Sequence, residues 1–192
     1  MNKEGHVLNA VLLSLGLGVI LSVVPEQVAA LLRAGTPDSA LDLLWGITVS
    51  VAELAVPVTL GALFPDVDTA FGKHRKTLHN LLVLGVVLAY PIYFDNLQFV
   101  WIGVVTHYVL DVFGSKRGIA LFYPLWDEEF GLPIGVNVSS KWADAMMLSV
   151  TAFELAVAAF IVYVLPAEIQ AQGQQAVGLR AVEGLQQVVV FL

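Results

Sequence analysis

Long apolar runs constrain this chain more than any other feature of its sequence. The first run covers residues 6–24 and contains no Asp, Glu, Lys or Arg. At a rise of about 1.5 Å per residue, a helix of this length can cross a bilayer core of about 30 Å. A signal peptide is the alternative, because Lys3 precedes the run, but the run exceeds the usual apolar core of about 7 to 15 residues. It therefore predicts a transmembrane helix.

Four further apolar runs follow, over about residues 41–64, 78–94, 97–113 and 146–165. Pro65 ends the first of these four, because proline cannot continue a helix without losing a hydrogen bond. Asp95 and Asn96 form a short polar turn, so the two runs that flank it are predicted to pair as an antiparallel hairpin. The pattern predicts an all-α fold, a polytopic bundle of about five transmembrane helices.

Composition supports this class and excludes others. The chain is 58% hydrophobic and 13% charged, whereas soluble domains are about 25% charged. It has no cysteine, so disulfides and thiolate metal sites are excluded. A net charge of −7 argues against nucleic-acid binding, which uses a basic surface. We predict one transmembrane domain over residues 1–166 and a C-terminal amphipathic tail over residues 167–192.

The basic residues predict how the bundle is oriented. Cytoplasmic loops of membrane proteins carry an excess of Lys and Arg. Most of the nine basic residues fall on one predicted side of the membrane: Lys3, Lys73, Arg75, Lys76, Lys116, Arg117 and Lys141. We therefore expect a multi-pass protein of the inner or plasma membrane, with its N-terminus in the cytoplasm and its C-terminus outside.

All four histidines and three aspartates fall at the same predicted face of the bundle. They are His6, Asp66, Asp68, His74, His79, His107 and Asp111. His107 and Asp111 are four residues apart, so they share one face of a helix, and two carboxylates separated by one residue, as in Asp66-x-Asp68, can point to one side of a turn. Imidazole and carboxylate groups bind divalent metals. The sequence predicts a site for one or two ions, with zinc preferred over manganese or magnesium.

Other charged residues near this face are candidates for chemistry around the metal. Glu4 or Asp68 is a candidate general base, since a carboxylate can accept a proton from water. Arg75 can clamp a phosphate, and Lys116 and Arg117 can attract an anionic headgroup. The alternative is that the basic residues serve only membrane orientation and that His6 is an ordinary interfacial histidine.

Four segments, taken in order, resemble a known family. They are EGH at residues 4–6, LFPDVDT at 63–69, HRKTLHN at 74–80 and THYVLDVFGSKRGIALFYPLW at 106–126. Together they are similar to the inner-membrane-associated, metal-dependent hydrolases of the YdjM type, also described as LexA-binding, which look distantly similar to zinc-dependent phospholipase C. Thr69 stands where that pattern often has a histidine. HRKTLHN differs from a His-Arg-Gly-x-Thr-His-Ser element but keeps both histidines and the arginine.

The resemblance implies a hydrolase, and the residues suggest how it would act. A metal-activated water would attack a lipid or lipid-linked phosphoester, or an ester, at the cytoplasmic membrane surface. Glu53 and Glu154 lie near the middle of predicted spans, where carboxylates often mark ion pathways, so a divalent-cation or proton-coupled transporter is one alternative. A non-catalytic membrane module that binds a protein partner through residues 114–145 is another. Replacing His107 or Asp111 would leave such partner binding intact.

Overall fold

The structure, a computed structural model, describes residues 2–23, 25–34 and 37–166, so the predicted tail over residues 167–192 lies outside the described part. The helices are α1 (Lys3–Ser22), α2 (Pro25–Ala34), α3 (Pro37–Leu63), α4 (Leu81–Phe94), α5 (Val100–Phe113) and α6 (Ala143–Ala159). A 3₁₀ helix covers Pro65–Ala70, and a π-helical turn covers Phe160–Val164. No β-strand forms among the described residues. The predicted all-α membrane bundle is confirmed.

Three of the helical segments are long and apolar enough to cross a membrane. They are Lys3–Ser22, Ala40–Ala70 and Ala143–Val164. Helices α4 and α5 have 14 residues each, which is about 21 Å at about 1.5 Å per residue and shorter than a bilayer core of about 30 Å. The described residues therefore contain three candidate spans and one short helical hairpin, where the sequence predicted about five spans.

The hairpin is shorter than predicted because polar residues bound α4 and because α5 begins at Val100 instead of Leu97. The Asn80 side chain accepts a hydrogen bond from the Val83 N–H and so caps α4, which begins at Leu81. Asp95, in the left-handed conformation with φ 50°, ends α4. Residues 97–99, which belong to the predicted fourth span, precede α5.

Helices α3 and α5 pack closely through two glycines. A Cβ atom added at Gly103 would lie 2.0 Å from the carbonyl oxygen of Val58, and one added at Gly61 would lie 2.0 Å from that of Val100. Only residues without a side chain permit such an approach of two helix backbones. This contact brings the backbone at the end of α3 against the first turn of α5.

Residues 114–142, which we call the cap loop, fold back on the end of the bundle. Ile119 and Phe130 exchange two backbone hydrogen bonds, of 3.0 and 2.8 Å. A Cβ atom at Gly118 would lie 1.6 Å from the carbonyl oxygen of Phe130, so this crossing requires glycine. The cap loop is fastened to the segment before α4 because the Ala120 N–H donates to the carbonyl oxygen of Arg75 at 2.9 Å.

The chain divides into two compact units, Met1–Leu155 and Ala156–Leu192. The contacts above and the candidate site below lie within the first unit. The described part of the second unit is the end of α6 followed by the π-helical turn. The single domain over residues 1–166 stays a prediction.

Candidate metal centre

Four parts of the fold supply the predicted donor residues at one end of the bundle. His6 comes from the first turns of α1, Asp66 and Asp68 from the 3₁₀ helix after α3, His74 and His79 from the segment before α4, and His107 and Asp111 from α5. We call these seven residues the donor cluster. Six of the seven are buried, and the side chain of His74 is 42% exposed.

Four donor atoms face one another within the cluster: His79 Nε2, His107 Nε2, Asp66 Oδ1 and Asp111 Oδ2. The two histidine nitrogens are 3.1 Å apart. Asp111 Oδ2 lies 3.6 Å from the His107 nitrogen and 3.9 Å from that of His79, and Asp66 Oδ1 lies 3.8 and 3.9 Å from the same two atoms. Ligand bonds of about 2.0–2.2 Å place the donors of a tetrahedral ion about 3.3–3.6 Å apart. His79, His107 and Asp111 form one group that could hold an ion, and Asp66 belongs to two other groups, one with His6 and His107 and one with His74 and His79.

Hydrogen bonds on the far side of each ring fix which nitrogen carries the proton. His107 Nδ1 lies 2.6 Å from the carbonyl oxygen of Ala62, which can only accept, so Nδ1 is the protonated nitrogen. His79 Nδ1 lies 3.0 Å from a carboxylate oxygen of Asp68 and is protonated for the same reason. The Nε2 atoms of His79 and His107 therefore both present lone pairs to the interior of the cluster.

Two lone pairs 3.1 Å apart repel unless a positive charge lies between them. Burial, with a smaller contribution from His107, lowers the pKa of His79 to about 4, so the His79 ring is neutral at pH 7 and supplies no second proton to this contact. A divalent cation fits the donor set, because imidazole and carboxylate are the ligands that zinc and related ions take. The cluster could hold such an ion.

Asp68 lies behind His79 rather than among the four facing atoms. It is fully buried, and its carboxylate accepts hydrogen bonds from His79 Nδ1 and His74 Nδ1, each 3.0 Å long, and from the Leu78 N–H at 3.3 Å. A carboxylate that holds a ligating histidine in this way fixes its tautomer and raises its basicity. Asp68 therefore orients two histidines.

Replacing Asp68 with asparagine should weaken metal binding about 10- to 100-fold, the usual cost of losing a carboxylate that orients a ligating histidine. Asparagine keeps the shape but has no charge, so it holds the Nδ1 proton of His79 less firmly. Competition with a chromogenic chelator in detergent measures the affinity. Asp127→Asn is the matched control, since Asp127 is an exposed aspartate that pairs with Lys76 at 3.0 Å. An unchanged affinity in Asp68→Asn would contradict the orienting role.

His6 is the least satisfied polar side chain of the cluster. Its ring is 1% exposed and stacks on His107 with centroids 3.7 Å apart. Neither ring nitrogen has a hydrogen-bond partner among the described residues, although Nε2 lies 3.4 Å from Asp111 Oδ1. A buried unsatisfied polar group costs about 1–3 kcal/mol, and a ligand would remove that cost. His6, Asp66 and His107 form a second group that could hold an ion.

Arg75 is positioned differently from a surface phosphate clamp. It is buried, and its guanidinium donates to the hydroxyl of Ser115 at 3.0 Å and to the carbonyl oxygens of Arg117 and Gly118 at 2.6 and 3.1 Å. Its Nη2 lies 3.7 Å from Asp111 Oδ1. Arg75 therefore joins the cap loop to the donor cluster.

The remaining predicted site residues lie outside the cluster. Glu4, Lys116 and Arg117 are exposed, and in the described part of the chain none of them forms a hydrogen bond or ion pair with the donor cluster. The Arg117 guanidinium instead pairs with Glu129 at 2.8 Å, and this contact raises the pKa of Arg117 above its usual value.

Several groups that support the cluster were not identified from the sequence. The Thr69 hydroxyl donates to the Asp66 carbonyl oxygen at 2.8 Å, and the Tyr108 hydroxyl accepts from the Asn80 N–H at 3.1 Å. The role of Asn80 as a helix cap has a recognisable signal, since a polar residue precedes an apolar helix. The carbonyl oxygen of Ala62 has none, because any residue type can supply it.

The fold and the site together define a helical membrane protein with a buried histidine and aspartate cluster that could hold a metal ion. Residues 1–176 match the family described as YdjM inner membrane protein. The chain belongs to this family, and its family is one of inner membrane proteins. No curated protein and no solved structure matches the chain significantly. The family description gives a location and no activity.

Proposed function

We propose that this protein is a metal-dependent hydrolase that acts on a lipid or lipid-linked phosphoester, or an ester, at the cytoplasmic surface of the inner membrane. The observation that carries the proposal is the pair of His79 and His107 rings, whose Nε2 atoms face each other at 3.1 Å. Asp111 completes a group of three donors with them, and Asp66 Oδ1 lies 3.8 Å from His107 Nε2.

These four residues would hold the first ion, and His6 with Asp66 would hold a second. Zinc suits a set of nitrogen and oxygen ligands, and manganese or magnesium is the alternative where carboxylates dominate. When bound, such an ion supplies Lewis-acid chemistry for hydrolysis. The resemblance of the EGH, LFPDVDT and HRKTLHN segments to metal-dependent hydrolases supports the same reaction class.

His74 is the chain's own candidate for proton transfer. Asp68 Oδ1 accepts from its Nδ1 at 3.0 Å, and the side chain is 42% exposed. The carboxylate therefore fixes the ring, while Nε2 is left to accept a proton from water and return it to a leaving group. This pairing takes over the role of general base that the sequence assigned to Glu4 or Asp68.

An apolar cavity beside the α4–α5 hairpin supports a lipid substrate. It has a volume of 260 Å³ and is lined by Phe64, Val86, Val87, Tyr90, Leu97 and Val100. Phe64, in its wall, precedes Asp66 by two residues in the chain. Pockets with apolar walls bind apolar groups, and an acyl chain is the apolar part of a membrane lipid.

The position of the cluster favours hydrolysis over transport. Its donors come from the first turns of α1, the segments next to α3 and α4, and the last turns of α5, whereas transport sites are typically near the middle of the membrane. The basic residues around this end predict that it faces the cytoplasm. Binding of a protein partner through residues 114–145 stays a prediction.

A substrate assay with a filled cavity tests the proposal. Metal-loaded protein in detergent should hydrolyse a long-chain phospholipid or lipid phosphate, and Val86→Trp should reduce that rate at least about tenfold, a loss of about 1.4 kcal/mol, while sparing a short-chain soluble analogue. Leu82→Trp is the matched control, because Leu82 is 68% and Val86 62% exposed on the same helix and only Val86 lines the cavity. Failure of the metal-loaded natural chain to hydrolyse any of these substrates would reject the hydrolase.

A further inference from the structure

A second polar cluster lies inside the bundle, apart from the donor cluster. It joins Asn9 of α1, Thr106 of α5, and Thr151 and Glu154 of α6. The first three side chains are buried and Glu154 is half-buried. Asn9 Nδ2 contacts Thr151 Oγ1 at 2.8 Å and Glu154 Oε2 at 3.1 Å, while Thr106 Oγ1 contacts Asn9 Oδ1 at 2.7 Å and Glu154 Oε1 at 2.6 Å.

The number of hydrogens in this network is smaller than the number of contacts unless Glu154 carries one. The two amide hydrogens of Asn9 serve Thr151 and Glu154 Oε2, and the Thr151 hydroxyl donates to the Met147 carbonyl oxygen at 2.9 Å. The Thr106 hydroxyl has one hydrogen, which the Asn9 carbonyl oxygen must receive because it has none to give. The 2.6 Å contact between Thr106 and Glu154 then needs a hydrogen from the carboxyl group.

The same conclusion holds if the Asn9 amide is turned over, which matters because amide orientation is an assignment. Asn9 Oδ1 would then face Glu154 Oε2 at the 3.1 Å of that contact. Neither oxygen has a hydrogen unless the carboxyl group is protonated. In both orientations, an ionised Glu154 leaves one pair of oxygen atoms at hydrogen-bond distance with no hydrogen between them.

The surroundings also disfavour an ionised carboxylate. A charged acid at the centre of a membrane helix costs about 2.5–3.5 kcal/mol on insertion scales. Among the described residues, the hydrogen bonds that reach the Glu154 carboxyl come from Asn9 and Thr106, and neither carries a positive charge to offset that cost. On the helices that supply these partners, the titratable groups within one turn of them are His6 of α1 and His107 and Tyr108 of α5.

We propose that Glu154 is a proton-binding site inside the membrane bundle, neutral at pH 7, with its carboxyl hydrogen donated to Thr106 and its other oxygen bound by Asn9. The bound proton ties α6 to α1 and α5, because both hydrogen bonds of the carboxyl group cross between helices. Asn9 follows His6 by three residues and Thr106 precedes His107, so the proton lies about one helical turn from the donor cluster.

Infrared spectroscopy of the full chain in detergent tests this site. The C=O stretching band of protonated carboxylic acids should be present at pH 7 and should lose one carboxyl equivalent in Glu154→Gln. Glutamine can replace the protonated acid, since its amide N–H donates to Thr106 and its oxygen accepts from Asn9, so this variant should unfold at the natural temperature. Glu53→Gln is the matched control, because Glu53 is an exposed glutamate of α3 outside the network, and it should leave the Glu154 band in place.

A second variant gives an independent result. Thr106→Val keeps the side-chain shape and removes the acceptor, so the Glu154 band should shift to higher frequency as the hydrogen bond is lost. The proposal is overturned if Glu154→Gln leaves the protonated band unchanged and removes carboxylate absorbance, or if Thr106→Val does not move the band. Loss of the band on adding sodium at constant pH would also overturn it, because the carboxylate would then bind a cation and not a proton.

Discussion

Replacing His107 with alanine is expected to abolish metal binding. His107 supplies one of the four facing donor atoms and also belongs to the group formed with His6 and Asp66. Zinc sites contribute about 10–16 kcal/mol from about four ligands, or about 3 kcal/mol for each ligand, which corresponds to more than about 100-fold in affinity. Asp111→Ala removes a second facing atom and should have the same effect. Elemental analysis of detergent-purified protein should fall from about one or two ions per chain to near zero in both variants.

His74→Ala is the matched histidine control for this experiment. Its Nδ1 is held by Asp68 at 3.0 Å, and it is not one of the four facing donors, so the variant should keep at least one ion per chain. A natural metal content in His107→Ala, or a natural chain that stays metal-free after reconstitution, would contradict the metal centre. Metal retained by His107→Ala but lost in His74→Ala would instead place the ion nearer to His74, Asp66 and His79, which form the third possible group.

The helices could be predicted from the sequence because apolarity and length determine them. The runs over residues 6–24 and 41–64 correspond to α1 and α3, whose bounds differ by only a few residues. The hairpin was less predictable. Its two apolar runs begin at Leu78 and Leu97. The helices begin later, because Asn80 caps α4 at Leu81 and α5 starts only at Val100. Hydropathy measures the apolarity of a run and does not show where side chains take over its backbone hydrogen bonds.

The donor cluster could be predicted as a group, but not the role of each member. The four-residue spacing of His107 and Asp111 does place two donor atoms 3.6 Å apart. Asp66 and Asp68 are two residues apart, yet one faces the other donors and the other lies behind His79. That distinction depends on the turn of the 3₁₀ helix and on hydrogen bonds to residues distant in the chain, which spacing alone does not contain.

Arg75 shows the same limit, since its residue type suggested a phosphate clamp while its contacts are internal. Replacing it with alanine is expected to destabilise the fold by about 3–5 kcal/mol, the usual cost of breaking a buried charge pair. The change leaves the Gly118 carbonyl oxygen without the guanidinium donor, the Arg117 carbonyl oxygen with only the Ser115 hydroxyl, and Asp111 without the neighbouring guanidinium. Lysine should not restore the fold, because its one nitrogen cannot take the places of both Nη1, which donates to the three oxygens, and Nη2, which lies 3.7 Å from Asp111.

Thermal unfolding in detergent, with limited proteolysis of the cap loop, measures this effect. Arg75→Ala should unfold at a lower temperature and expose the cap loop to protease. Arg117→Ala is the matched control, because its exposed ion pair with Glu129 is worth about 0–1 kcal/mol and its carbonyl oxygen still accepts from Arg75. If Arg75→Ala kept the natural unfolding temperature and proteolysis pattern and only raised KM for a phosphoester, Arg75 would be a substrate clamp. Because Arg75 contacts both the cap loop and Asp111, loss of the cap loop should also weaken metal binding, which a clamp role does not require.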